Sequence, residues 1–280
     1  MTVRVVYRAG MSITPPVGSP ISVASVPNLR DAGGYSADAG AVVRRGVLFR
    51  STDLGAVTDD DAAVLEGLGI ATVFDLRTVA EREVRPDRIP AGAKEVPLDV
   101  LADRDPSAAP AMMLKLLEDP VLAEQALGGS EASGHLLNSY REFVSMPSAV
   151  TAYRALYTDL ARGGDAPVLI HCTTGKDRTG WAVAALLLLL GVDEEVVFTE
   201  YLLTNEQLLP ALQPVFDRFR DAGGNPDILV PLLGVRREYL EAALTEMRTS
   251  FGDIEDYFTR GLGLGAGDVD ALRERLLSRD

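Results

Sequence analysis

The chain has 280 residues, 47% of them hydrophobic and 24% charged, with a formal net charge of -14. That length suits one generous α/β domain or two small ones, and the composition carries no sign of low-complexity disorder across the body. Such acidity makes nucleic acid a poor partner and gives no electrostatic help toward anionic lipid, and no stretch is long enough for stable membrane insertion.

The first 24 residues, with Gly10, Pro15, Pro16, Gly18 and Pro20, read as an extended, partly disordered lead-in without the continuous apolar run of a secretion signal. Val47 to Arg50 and Ala71 to Arg77 read as short buried strands, with a helix from Asp59 to Leu68 between them that opens on an acidic cluster. A third strand, Lys94 to Leu98, ends at Asp99. The following stretch to Tyr140 is long for a connection. It carries two short amphipathic pieces, near Ala111 to Glu118 and Leu122 to Leu127, and flexible joints at Gly128-Gly129-Ser130 and Ser133-Gly134. This insertion, about 100–138, reads either as a lid or as a surface elaboration. Ala149 to Arg162 has helical spacing and leads through Gly163-Gly164 into a strand from Pro167 to Ile170. Ala182 to Leu190 is an apolar run too short to span a membrane and reads as a buried helix. The remainder is helical: Asp193 to Leu203, Gln207 to Ala222, Arg236 to Ser250 and Val269 to Leu277. Its apolar stripes, together with Phe198, Tyr201 and Tyr239, read as core packing. Strands alternating with helices predict an α/β fold with a mainly parallel central sheet flanked by helices and a helical C-terminal part.

One cysteine stands in the whole chain, inside His171-Cys172-Thr173-Thr174-Gly175-Lys176-Asp177-Arg178-Thr179-Gly180. It falls where a strand stops and a helix is about to start. Backbone N–H groups of such a loop, with the positive end of the helix, converge and bind anions. Arg178, six residues after Cys172, adds a planar fork suited to two phosphate oxygens. The same positive field favours the thiolate of Cys172. A buried packing role for a lone cysteine is the plain alternative, but His, Cys, Gly, Arg, Thr and Gly all at functional spacing point to cysteine-dependent phosphate chemistry. An acidic protein with a phosphate substrate needs a local basic focus, and Lys176 and Arg178 supply one.

This loop resembles the signature of the protein tyrosine phosphatase superfamily, and its Gly-Lys-Asp-Arg-Thr-Gly form is similar to the bacterial branch that includes the mycobacterial B-type enzymes. The likeness runs in order through Asn28-Leu29-Arg30-Asp31, Leu48-Phe49-Arg50-Ser51, Phe74-Asp75-Leu76-Arg77, Tyr201-Leu202 with Asn205, and Leu233-Gly234-Val235-Arg236 with Glu238-Tyr239-Leu240. It covers roughly residues 25–278 and is weakest at about 100–138, so residues 25–280 are expected to form a single cysteine-phosphatase-like domain. The family has mobile lid helices, which favours the lid reading of the insertion.

The expected activity is phosphomonoester hydrolysis, with phosphotyrosine protein as main substrate. Cys172 would attack phosphorus and form a thiophosphate, while Arg178 and the amides of Thr173, Thr174, Gly175, Lys176, Asp177 and Arg178 hold the equatorial oxygens. Thr179 would donate its hydroxyl to the sulfur or cap the helix, and His171 would orient the loop. Two aspartates compete as general acid: Asp177, which the resemblance favours, and Asp99 at a strand end. Lys176 would grip a second phosphate or pair with Asp177. Asp75, Arg77, Arg30, Asp31 and Arg50 read as scaffold charges, and His135 as a surface residue. No metal and no cofactor are expected, since no His/Cys cluster shows in the sequence. Phosphoinositides or soluble inositol phosphates are the second substrate class, and a non-enzymatic phosphate-binding module is the third reading. A single unpaired cysteine suits a cytoplasmic protein, and the resemblance leaves signal-less secretion open. The oligomeric state is not legible.

Overall fold

The computed structural model describes residues 16–104, 115–117, 119–127 and 130–278. Most of the lead-in and most of the Ala111 to Glu118 piece therefore lie outside the described residues, as do Gly128 and Gly129. The described end of the lead-in is ordered against the fold: Val23 is buried and the Ile21 amide donates to the Leu29 carbonyl.

A five-stranded sheet organises the chain. In sequence order its strands are β1 (Arg30–Asp31), β3 (Leu48–Ser51), β4 (Thr72–Asp75), β5 (Lys94–Pro97) and β6 (Val168–His171), arranged β1-β3-β6-β4-β5. The last four are mutually parallel and β1 alone runs antiparallel, paired to β3. β6 is central, buried at all four positions, which is why Val168-Leu169-Ile170 reads as an unbroken apolar run. Side chains alternate faces. Leu48, Phe74, Val168 and Ile170 enter the large core, while Phe49, Val73 and Leu169 enter a smaller one with Leu54, Leu65 and Leu68.

The smaller core is closed by α1 (Asp59–Gly67), whose N-cap Thr58 accepts from the Asp61 amide. A short helix, α2 (Val79–Val84), follows β4 and starts on a capping box made by Thr78 and Glu81. The large core is filled by α5 (Pro147–Arg162) and α6 (Arg178–Leu189), the latter buried on nearly every side, together with α7 (Glu194–Leu208) and α10 (Arg237–Phe251). The final helix, α11 (Ala266–Leu276), runs into β7 (Leu277–Ser278), which pairs with β2 (Val42–Val43) in a separate two-stranded ladder. The expected fold class is the observed one.

Two boundaries differ from the sequence reading. The segment expected as one helix over Gln207 to Ala222 is split. α7 runs on to Leu208, a 3-10 turn covers Leu209–Leu212, and α8 spans Gln213–Asp221. Pro210 interrupts the first helix and Pro214 sits at the start of the second, where its missing N–H costs nothing. In the insertion, α3 (Pro120–Leu127) is followed by α4 (Ser130–Ser145). Ser133-Gly134 lies inside α4 and is no joint, because Tyr140, Phe143 and Val144 bind that helix into the large core. A third, small core joins Leu116 and Ala123 of the insertion to Phe216, Phe219, Leu229 and Leu233.

Candidate active site

Cys172 follows the central strand directly and is 1% exposed. Ligands in open α/β sheets collect beyond the carboxyl ends of the strands, and the elements around Cys172 all leave the sheet at that end. The loop turns tightly at Gly175, whose φ of +65° puts the backbone where a Cβ would come within 2.1 Å of the Ser51 carbonyl oxygen. Its carbonyls are drawn outward. That of Thr173 accepts from the Asp53 amide at 3.2 Å, and that of Gly175 accepts from Asn28 Nδ2 at 3.1 Å and Arg50 Nη2 at 2.7 Å. Asn28 Nδ2 also reaches the Thr174 carbonyl, from a backbone at φ 62° that asparagine tolerates better than most residues. Among the described residues, the amides of Thr174 through Thr179 find no hydrogen-bond partner in the protein. They are left, with the start of α6, to hold an anion.

Beneath the loop lie two buried charge networks. Arg30 Nε and Arg50 Nη1 bind the two oxygens of Glu200 at 2.8 and 2.6 Å, all three side chains fully buried. Burial opposes the charge of Arg30 and Arg50 repels it, so its pKa is pulled down to about 10. Removing Glu200 would strand two cations, a loss of about 3–5 kcal/mol by the usual cost of breaking a buried pair. The second network surrounds His171. Arg77 Nη2 donates to Asp75 at 2.8 Å and Asp87 at 2.6 Å, and His171 Nε2 lies 3.1 Å from Asp87. Burial disfavours the imidazolium, yet the carboxylates of Asp87 and Asp75 outweigh it and raise the His171 pKa. Asp75, Asp87 and His171 also gather three ligand atoms of the kind that hold metal, a cluster the sequence did not show. The Arg77 guanidinium bridges the two carboxylates and already supplies the cation there.

The loop side chains divide into two sets. Arg178 is bound end-on by Glu81 of α2, Nη1 to Oε2 at 2.7 Å and Nη2 to Oε1 at 2.8 Å, and Thr173 also donates to Glu81. Desolvation works against the Glu81 carboxylate, but Arg178 holds its pKa far below the ordinary range. Asp177, 25% exposed, accepts from Lys176 Nζ at 3.0 Å and from the Tyr140 hydroxyl at 2.8 Å. Lys176 Nζ is further tied to the Gly234 carbonyl at 3.2 Å. Of the two readings of Lys176, the structure has the pairing with Asp177. Asn205 fixes the same segment by bonding both the amide and the carbonyl of Val235.

Asp99 stands apart. Its carboxylate accepts from the amides of Val79 and Leu101, pinning the start of α2 and its own turn. Thr179 is wholly buried with its hydroxyl unpartnered, and the N-cap position of α6 belongs to Asp177, which makes no capping bond. His135 is exposed on α4. A shallow cavity of about 380 Å³ opens at the opposite ends of the strands, beside Thr72, Lys94 and Val168. There Arg275 is spent on the carbonyls of Leu160 and Ala166.

Glu81, Asp87, Glu200 and Tyr140 were not among the residues singled out from the sequence. Glu81 alone had a local signal, the Thr78-Val79-Ala80-Glu81 capping box pattern.

Among the described residues, no helix is long and apolar enough to cross a membrane. The family model described as "Tyrosine phosphatase family" matches residues 21–278. The chain is 33% identical to the triple specificity protein phosphatase PtpB of Mycobacterium tuberculosis, over 89% of this chain and 96% of that protein. It is 29% identical to a protein of Cupriavidus necator named as a candidate tyrosine-protein phosphatase, over 91% of this chain and 87% of that protein. A tyrosine-protein phosphatase of Nostoc commune is 26% identical over 81% of this chain and 73% of that protein. With Cys172 and a loop of unpartnered amides at the end of its central strand and a family match along nearly its whole length, the chain belongs to the tyrosine phosphatase family and is a phosphoric monoester hydrolase.

Proposed function

We propose that this enzyme hydrolyses phosphotyrosine in proteins through a thiophosphate on Cys172, with enough breadth to take other phosphomonoesters. The observation that carries the reading is the run of unpartnered loop amides that begins just after the buried Cys172 and ends on the Glu81-held Arg178. Cys172 Sγ forms a bond to phosphorus as the ester oxygen leaves, and water then breaks that S–P bond to release phosphate and regenerate the thiolate. The charge spread over the equatorial oxygens is met by the amides and by Arg178. Thr179 is buried with a free hydroxyl, and in this reading that hydroxyl serves the departing sulfur in the second step.

Asp177 is our choice of general acid. It belongs to the loop itself, whereas Asp99 has both oxygens committed to backbone amides. Residues 25–280 act as one domain in this reading, and the insertion with the 209–233 segment, joined by their own small core, forms the lid.

The name of the mycobacterial relative states three specificities, which supports breadth. Against a dedicated inositol phosphate enzyme stands Lys176, whose ammonium is already engaged by Asp177 and by the Gly234 carbonyl. Turnover of phosphotyrosine, phosphoserine and phosphothreonine peptides and of phosphoinositide vesicles, by wild type and by Cys172→Ser, tests the proposal. The expected order puts phosphotyrosine first, with turnover of every substrate lost in the variant. A phosphoinositide preferred over phosphotyrosine would overturn the substrate, and turnover surviving in Cys172→Ser would overturn the mechanism.

A further inference from the structure

Tyr140 sits on α4, the helix that closes the insertion, and Tyr201 sits on α7. Both are wholly buried. Their hydroxyls are 2.5 Å apart, and that of Tyr140 is also 2.8 Å from Asp177 Oδ1. A buried tyrosine hydroxyl usually finds one partner; here two share a chain that ends on a carboxyl of the candidate site.

The polarity of that chain follows from the chemistry of its ends. Asp177 Oδ1 can only accept, so Tyr140 donates to it, and the Tyr140 oxygen is then free to accept from Tyr201. Burial, followed by the nearby charge of Asp177, holds both phenols far above the ordinary tyrosine range. They stay protonated and act as donors, never as bases.

The backbone makes room for this arrangement. A Cβ on Gly180 would lie 3.0 Å from the Tyr201 ring, so the second glycine of the signature loop is what lets Tyr201 lie against the start of α6. Tyr140 is wedged by Phe143, Tyr201 and Tyr239, with ring centroids at 5.3, 6.2 and 5.7 Å. Neither ring can swing aside without opening the core.

We propose that Tyr140, backed by Tyr201, is a positioning residue for proton delivery. Lys176 Nζ lies 3.0 Å from both oxygens of Asp177, so the bond from Tyr140 to Oδ1 is what distinguishes them, and it leaves Oδ2 as the oxygen that carries the transferable proton to the leaving group. This inference rests on Asp177 being the general acid. It ties the step that expels the leaving group to the helix that anchors the insertion, so that a shift of α4 would be felt at the acid before it was felt at Cys172.

Leaving groups separate this role from plain packing. Phenyl phosphate needs its departing oxygen protonated, whereas p-nitrophenyl phosphate expels a stable phenolate and depends on the acid far less. Tyr140→Phe keeps the ring and removes the hydroxyl. It should lower kcat on phenyl phosphate about tenfold and on p-nitrophenyl phosphate less than about twofold, with KM unchanged on both, a part of the full effect of an acid. Tyr201→Phe retains the Tyr140–Asp177 bond and should show the same pattern at about threefold, as the cooperative share of a hydrogen-bond chain.

Asp177→Asn, alone and combined with Tyr140→Phe, completes the set. The single variant should show the largest leaving-group-dependent loss, and the double variant should lose nothing more. Equal losses on both substrates in Tyr140→Phe, or no loss on either, while Asp177→Asn keeps its leaving-group dependence, would overturn the positioning role and leave the acid standing. A leaving-group-independent Asp177→Asn would overturn the acid and the positioning role together. Should Tyr140→Phe fail to fold, Tyr201→Phe decides by the same criterion.

Discussion

Arg178 and Asp177 are neighbours in the chain and each meets an opposite charge, yet only Asp177 is also held by neutral hydroxyls. On the Arg178 side, charge meets charge: Glu81 binds the guanidinium with two parallel bonds, and α2, which carries Glu81, is pinned at its first turn by Thr78 and Asp99. On the Asp177 side, one ammonium is joined by a chain of neutral hydroxyls that reaches through Tyr140 to Tyr201. A guanidinium keeps its charge at every working pH, so an ion pair fixes it without conflict. A carboxyl that is to give up and regain a proton is better served by hydroxyls, which hold it in place whichever form it takes. The Arg178 flank rests on an ion pair, whereas the Asp177 flank, which the proposal has moving a proton, adds to the Lys176 ammonium a pair of hydroxyls that can stay in place in either state.

The largest break in that comparison comes from Glu81→Gln. With the charge gone, the Arg178 fork loses its anchor, and kcat/KM should fall by about tenfold or more on every substrate alike, since positioning of an oxyanion clamp is lost. That uniformity is the contrast with the Asp177 flank, where losses should follow the leaving group. The Glu81 carboxyl is held far below its ordinary value of 4.5, so its contribution to stability is complete above that value and is lost as pH falls through the depressed one. Thermal unfolding from pH 6 down to pH 2 should therefore bring wild type and Glu81→Gln together as the solution becomes acid. A constant gap would contradict the ion pair.

His171 titrates with the opposite sign. Asp87 and Asp75 raise its pKa above the ordinary 6.5 despite its burial, so its stabilising charge is present in full below 6.5 and is lost as pH rises through the raised value. The stability gap between wild type and His171→Gln should narrow from pH 6 to pH 9; a gap that widens would mean that the ring is neutral in the fold. The smallest effect belongs to Asp99→Asn. It weakens an acceptor at the start of α2, worth about 1 kcal/mol, and should lower the Tm slightly while leaving the leaving-group dependence of kcat untouched. A leaving-group-dependent loss in that variant would move the acid from the loop to the end of β5.

How far the molecule could be read from its residues follows from how local its signals are. Ten consecutive residues carry the loop, so Cys172, Gly175 and Arg178 were legible at once, and the apolar run before them named the central strand. The partners of that loop are remote: Glu81 lies 97 positions from Arg178, Tyr140 lies 37 from Asp177, and Glu200 lies 150 from Arg50. Periodicity says only that Tyr201 faces a core; it cannot say that the core contains a second hydroxyl. The two-residue strands β1, β2 and β7 are too short to show alternation. Ser133-Gly134 has a composition that favours a joint, and tertiary packing of Tyr140 and Phe143 made a helix of it.

The central claim is a covalent phosphoryl group on Cys172, and it can be caught. Wild type mixed with a phosphotyrosine peptide carrying labelled phosphate, acid-quenched within milliseconds and digested, should yield label on the peptide that contains Cys172. The label should be absent from Cys172→Ser and should accumulate if breakdown of the thiophosphate is slower than its formation. Turnover with no label on that peptide at any quench time, together with activity in Cys172→Ser, would contradict the account.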